Sequence, residues 1–229
     1  MRTLAILPVK RLTAAKQRLA EALGPGARVA LAQAMLIDVL ASIRRVPGLD
    51  DLVVVTSDRV AQSAAAGLHP GVLVLREDGH SGHSAAALLG IHRALADEYD
   101  RVLLVPGDTP LVQAAELAAL LADRLGVVVV PDRHGTGTNA LVLSPPDAIE
   151  PSFGPGSLQR HVAAAEAAGV PCRVEEVPGL ALDVDTPDDL AQLSAELELS
   201  HGAAPATRGA LRQLDRAGAQ PVRLPHLSR

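Results

Sequence analysis

The sequence predicts an α/β domain with a mostly parallel central sheet and helices on both faces. Short apolar runs alternate with helical patterns through most of the 229 residues. The runs are nearly continuous in apolar character, as strands covered on both faces are. The length suits one such domain, placed at residues 1–199, with a basic, weakly ordered extension over 200–229.

TLAILPV (3–9) reads as a buried first strand. Residues 28–44 carry Val29, Ala32, Leu36, Leu40 and Ile43 at helical spacing. DLVVVTS (51–57) is the next strand, and Asp58 is placed to cap a short helix after it. VLVLRED (72–78) is a third strand, followed by a helix over 84–97 with Leu88, Ile91 and Leu95 in phase. RVLLVPGD (101–108) is the fourth strand, then a helix over about 113–125 and a strand at VVVVPD (127–132). NALVLSP (139–145) is a further strand and 157–168 a helix. CRVEEV (172–177) alternates in polarity, which suits a sheet edge. A last helix opens after Thr186 with Pro187 in its first turn. Beyond residue 200 the pattern stops, apart from a short helical stretch at 207–217. The tail holds Arg208, Arg212, Arg216, Arg223 and Arg229 against the single acid Asp215.

Composition excludes several functions. Hydrophobic residues make up 48% of the chain, enough for a core, but aromatics only 1%. The core must be aliphatic, and the count argues against single-stranded nucleic acid binding, which needs aromatic faces for base stacking. The net charge of −5 gives no basic field for a polyanion. Cys172 stands alone, so no internal disulfide can form. The N-terminal apolar run is too short for a signal peptide or a span. No membrane partner and a cytoplasmic location are therefore expected.

Two aspartates in LDVDTPDDL (182–190) carry the most chemistry. In an extended segment side chains alternate faces, so Asp183 and Asp185 point the same way and repel unless a cation lies between them. Mg²⁺ favours carboxylates together with substrate phosphates. Asp108, at the end of the fourth strand in VPGDTPL (105–111), is a third candidate. Open α/β sheets bind ligands at that end of their strands. The plain alternative is that Asp183 and Asp188 cap the following helix. LPVKRLTAAKQRL (7–19) sets Lys10, Arg11, Lys16 and Arg18 after the first strand. It lacks both GxxxxGK[ST] and GxGxxG, so it is a basic phosphate loop of another kind or a solvated turn. PDRHGTGTNAL (131–141) is either a close-approach glycine loop around Thr138 or a tight hairpin. SFGPGSLQRH (152–161) places Gly154, Gly156 and Ser157 at a helix entrance, which suits an anion or an ordinary cap. His80, His83, His134, His161 and His201 are scattered and read as polar loop residues.

These motifs, in this order, resemble the guanylyltransferases of coenzyme F420 biosynthesis over roughly residues 4–195. Those are relatives of the molybdenum-cofactor guanylyltransferases and share a Rossmann-like nucleotide-diphospho-sugar transferase fold. The resemblance implies GMP transfer from GTP to phosphoenolpyruvate, or to 2-phospho-L-lactate, with release of pyrophosphate. The product would pass to a downstream F420 transferase. It further implies that Asp108, Asp183 and Asp185 hold Mg²⁺. Pro8, Val9, Lys10 and Lys16 would face the GTP phosphates, with Lys16 and Asp108 catalytic. Thr138, Gly154 and Ser157 would hold the acceptor phosphate, and EDGHSGHSAA (77–86) would shape the nucleotide pocket. The paired glycines that follow strand one in molybdenum-cofactor enzymes are missing here. A molybdopterin or sugar-phosphate acceptor and a non-enzymatic nucleotide-binding module are the competing readings. The chain is expected to be a monomer or homodimer.

Overall fold

The computed structural model describes residues 1–12, 16–68, 72–77, 82–122, 126–200 and 202–216. Seven strands form one sheet: β1 (Thr3–Pro8), β2 (Asp51–Val55), β3 (Leu73–Leu75), β4 (Arg101–Leu104), β5 (Val127–Pro131), β6 (Thr138–Leu143) and β7 (Cys172–Val174). Their spatial order is β3-β2-β1-β4-β6-β5-β7. Every neighbouring pair is parallel except β4–β6 and β5–β6. β6 runs against the sheet because it returns from β5 through a short hairpin, the only topology so short a loop allows. CRVEEV does supply the edge strand, shortened to three residues.

The helices are α1 (Pro25–Ile43), α2 (Arg59–Leu68), α3 (Gly82–Ala96), α4 (Ala114–Leu120), α5 (Ser157–Ala167), α6 (Pro178–Ala181), α7 (Pro187–Leu199) and α8 (Pro205–Arg216). They cover both faces of the sheet. Strand residues alternate between the two sides: Ala5 and Leu7 pack with α1, α4 and α7, while Leu4 and Ile6 pack with α3 and α5. On the α3 side the fit is tight. A Cβ on Gly90 would lie 2.4 Å from Ile6 Cγ2, so only glycine allows this approach of helix to strand. Helix α1 is long and apolar enough to cross a bilayer by length and composition, but most of it is buried in the protein.

In the extension the helical stretch expected at 207–217 forms two residues earlier and packs on the domain. Pro205–Arg216 form α8, which lies on α1, with Leu211 and Leu214 packed against the core and Thr207 fully buried. Asp38 of α1 accepts the N–H groups of Ala206 at 3.1 Å and Thr207 at 2.7 Å, capping α8 from outside its own segment. That cap lies 168 residues away in sequence, so the tail's polar composition gave no sign of it. Residues 217–229, with Arg223 and Arg229, lie outside the described residues. Losing a carboxylate cap costs about 0.5–2 kcal/mol. Asp38→Ala should therefore lower urea stability by about that much, and hydrogen exchange should show amides 205–216 losing protection ahead of the sheet.

Candidate active site

A cleft of about 720 Å³ opens at the carboxyl ends of β1 and β4. The chain switches there from the β2–β3 side of the sheet to the β4 side, where open α/β sheets take their ligands. Pro8 at the end of β1 lines it with Val9 and Lys10, as do Pro106, Gly107 and Asp108 just beyond β4. Val9 donates its N–H to Val55 O at 2.9 Å, and Leu12 donates to Asp58 Oδ2 at 2.9 Å. The other Asp58 oxygen accepts Val60 and Ala61 N–H, so this residue caps α2 as expected and also anchors the loop.

Lys16 then takes a left-handed backbone conformation, φ 58° and ψ 39°. For a residue with a Cβ this costs on the order of 1–2 kcal/mol. It sends the side chain back into the cleft. Its Nζ donates to Asp108 Oδ2 at 2.7 Å and to Asp185 Oδ1 at 2.9 Å. The Lys16 side chain is only 5% exposed, whereas Asp185 is 49% exposed, so the cation is the buried partner. Burial alone would lower the lysine pKa, but the two carboxylates outweigh it and hold it above the ordinary value. In the same way burial would raise Asp108, and the adjacent ammonium holds it below the usual carboxylate range.

Asp183 is treated differently. Burial, then the like charges of Asp108 and Asp185, push its pKa up, against the Asn139 amide at 3.3 Å and a backbone hydrogen bond. Among the described residues no cation pairs with it. Asp183 and Asp185 do not lie in a sheet strand but in an unpaired extended segment after α6. That segment is fixed by Val184, which is fully buried and donates its N–H to Asp108 O at 3.3 Å. With Val184 turned inward, its neighbours both reach the cleft. The capping alternative is not what forms. Thr186 Oγ1 accepts Asp189 N–H at 3.2 Å, and Asp189 Oδ2 accepts Asp185 and Thr186 N–H at 2.9 and 2.7 Å. The start of α7 is satisfied by Thr186 and Asp189, leaving Asp183 free of that duty.

The carboxylates suit a hard divalent ion in kind, since all their donors are oxygen. Among the described residues no three His, Cys, Asp or Glu side chains converge closely enough to hold a metal by themselves. The set is open, with Lys16 standing inside it. Mg²⁺ commonly uses such an arrangement, one or two carboxylates completed by substrate phosphates.

The opposite wall comes from the β5–β6 hairpin and the entrance to α5. Thr136, Gly137, Thr138 and Gly154 line the cleft. PDRHGTGTNAL is thus both hairpin and cleft loop, tightened by Asp132, whose Oδ1 accepts Thr136 N–H at 2.9 Å. Gly154 has φ +108°, and a Cβ built there meets no protein atom within 4 Å. Its backbone is therefore open to close approach by a ligand. Ser157 is the first residue of α5, fully buried, with its N–H on Gly154 O at 3.0 Å and no partner for its hydroxyl among the described residues. Gly154, three residues earlier, is among the residues that line the cleft.

Two histidines are not the loop residues the sequence suggested. His83 begins α3, lines the cleft and meets Phe153 edge-on at 5.1 Å between ring centroids. Burial lowers its pKa, despite the pull of Asp108. His161 is fully buried on α5. The sequence signal for it was its place four residues after Ser157 and four before Ala165, which puts it on the helix's inward face. Arg160 grips the loop before α5, donating to Ser152 Oγ and O at 2.8 Å each and to Pro155 O at 2.5 Å. His134 sits in the exposed hairpin turn. His80 and His201 lie outside the described residues, as do Thr13, Ala14 and Ala15 of the basic loop.

This fold, with carboxylates and glycine-bearing loops around its cleft, is that of the nucleotidyltransferases. A crystal structure from Desulfovibrio desulfuricans G20, assigned to the nucleotide-diphospho-sugar transferases, superposes with TM-score 0.76 at 20% identity, covering 94% of this chain and 96% of that one. At that identity the likeness concerns the fold. The chain belongs to the family described as CofC-like guanylyl transferases, which it matches over residues 3–225. It is 48% identical to the phosphoenolpyruvate guanylyltransferase of Conexibacter woesei, over 93% of this chain and 97% of that protein. It is 36% identical to the 2-phospho-L-lactate guanylyltransferase of Methanothermobacter thermautotrophicus, over 88% of each.

A carboxylate whose folded pKa is raised destabilises the fold when ionised. The penalty is absent while the group is protonated in both states. It grows as pH rises from the ordinary carboxylate range through the raised value, and then stays constant. Asp183→Asn should accordingly raise the Tm of the free protein at neutral pH, with the gain vanishing below the ordinary carboxylate range. A scan of Tm against pH for both proteins checks this.

Proposed function

We propose that the protein transfers GMP from GTP to a phosphorylated three-carbon acid, phosphoenolpyruvate or else 2-phospho-L-lactate, and releases pyrophosphate. The observation that carries this is the meeting of two chemically distinct walls in one cleft. Lys16, Asp108, Asp183 and Asp185 face a glycine-bearing wall at Thr138 and Gly154. The names of the relatives at 48% and 36% identity supply the donor and the acid. A product carrying an activated diphosphate suits onward transfer in coenzyme F420 biosynthesis.

In the reaction an oxygen of the acid's phosphate attacks the α-phosphorus of GTP, forming a P–O–P bond as the bond to the pyrophosphate leaving group breaks. A phosphate monoester is largely dianionic at neutral pH, with a second pKa of about 6, so the nucleophile needs no base. What the protein must supply is alignment and relief of charge repulsion. Pro8, Val9 and Lys10 would border the nucleotide phosphates. Lys16, held by Asp108 and Asp185, would offer its ammonium to the transferring group. Thr138 and the Gly154 backbone would seat the acceptor phosphate, with Ser157 shaping the turn behind. Mg²⁺, held by Asp108, Asp183 and Asp185 together with GTP, would offset the phosphate charge when bound.

The test is pyrophosphate release from GTP with each acid, followed by mass analysis of the product. We expect release with phosphoenolpyruvate first, and Asp185→Asn to cut kcat by about 10²–10³, the usual cost of removing one electrostatic contact to the transition state. Turnover confined to molybdopterin or a sugar phosphate would overturn the assignment.

A further inference from the structure

His161 is fully buried and joins the two segments of the acceptor wall. Ser152 donates its backbone N–H to Nε2 at 2.8 Å. A backbone N–H can only donate, so Nε2 carries no proton, and in a neutral ring the proton is then on Nδ1. Nδ1 lies 2.9 Å from Thr138 Oγ1 and so donates to it. The hydroxyl has one proton of its own. With a lone pair already taken by the ring, that proton is left to donate elsewhere, and Thr138 lines the cleft. The opposite tautomer would reverse this: Thr138 would donate to the ring and present lone pairs to an incoming anion. Burial, with Arg160 adding to it, holds the His161 pKa down to about 4, so the ring is neutral at physiological pH.

We propose that His161 is a positioning residue for the acceptor: Ser152 sets its tautomer, and the ring turns the Thr138 hydroxyl into a donor toward the acid's phosphate. The inference rests on Thr138 being part of the acceptor site. The same ring also ties the Ser152–Pro155 loop to β6, and Phe153 packs edge-on against it at 5.4 Å between centroids. The two binding segments therefore move as one unit.

Nitrogen NMR of the free protein tests the tautomer without any activity assay. A proton on Nδ1 and none on Nε2 is expected at neutral pH; the reverse tautomer or an imidazolium overturns the proposal. Kinetics test the consequence. His161→Asn keeps a donor at the Nδ1 position, whereas His161→Gln keeps a polar group only at the Nε2 position. One lost hydrogen bond to a charged group corresponds to roughly tenfold. We expect His161→Gln to raise the KM for the acid by about that factor, with kcat and the KM for GTP within about twofold of wild type. His161→Asn should recover most of the loss. Thr138→Val should raise the acid KM similarly, and adding His161→Gln to it should cost little more. If Thr138→Val leaves the acid KM unchanged, the acceptor reading fails and takes this inference with it. If Thr138→Val raises it while His161→Gln does not, or if the Asn and Gln variants are equally impaired, the positioning role alone is wrong.

Discussion

Like charges crowd one wall of the cleft, and the molecule is arranged to tolerate them. Three carboxylates arrive there from two distant parts of the chain, Asp108 after β4 and Asp183 with Asp185 after α6. One buried ammonium, from Lys16 after β1, bonds to Asp108 and Asp185 at 2.7 and 2.9 Å. Lys16 reaches them only through a backbone conformation unfavourable to any residue with a Cβ, a local strain of the sort that accumulates at functional sites. Asp183 is left with an amide, a backbone hydrogen bond and two repelling neighbours. Its charge works against the free fold. That pattern is expected where the stabilising partner arrives with a ligand.

The facing wall has the opposite character. It holds few charges and much fixed polarity. Arg160 clamps the loop before α5 through its planar fork of donors, which suits several carbonyl and hydroxyl acceptors held close together. His161 links that loop to β6. Gly154, with open space where a side chain would project, leaves backbone exposed to the cleft. A wall of carboxylates around one buried ammonium, with a wall of oriented donors beside it, suits the joining of two phosphate-bearing molecules.

Much of this was legible in the sequence, for identifiable reasons. Asp108 and the Asp183/Asp185 pair were readable because each follows an apolar run or sits at period-two spacing, signals local to a few residues. The parallel sheet was readable from apolar runs between helical stretches. Other features depend on contacts far apart in sequence. The direction of β6 follows from a hairpin that composition could equally have given to a binding loop. Helix α8 is capped by Asp38, on another helix. His83 and His161 looked like scattered polar residues because what matters is the cleft and the buried helix face they meet. The full burial of Ser157, which its place after two glycines did not show, depends on the packing of α5.

Whether the carboxylate wall takes up a cation together with a nucleotide is decided by the thermal shift on adding GTP, with and without Mg²⁺, to the wild type and to Asp183→Asn. A ligand that binds only the folded state stabilises it by RT ln(1 + [L]/Kd), about 2.7 kcal/mol at a hundredfold excess over Kd. The account predicts a clear rise in Tm for the wild type with GTP and Mg²⁺ together, little with either alone, and a much smaller rise for Asp183→Asn. An equal rise without the metal, or in the variant, would contradict it.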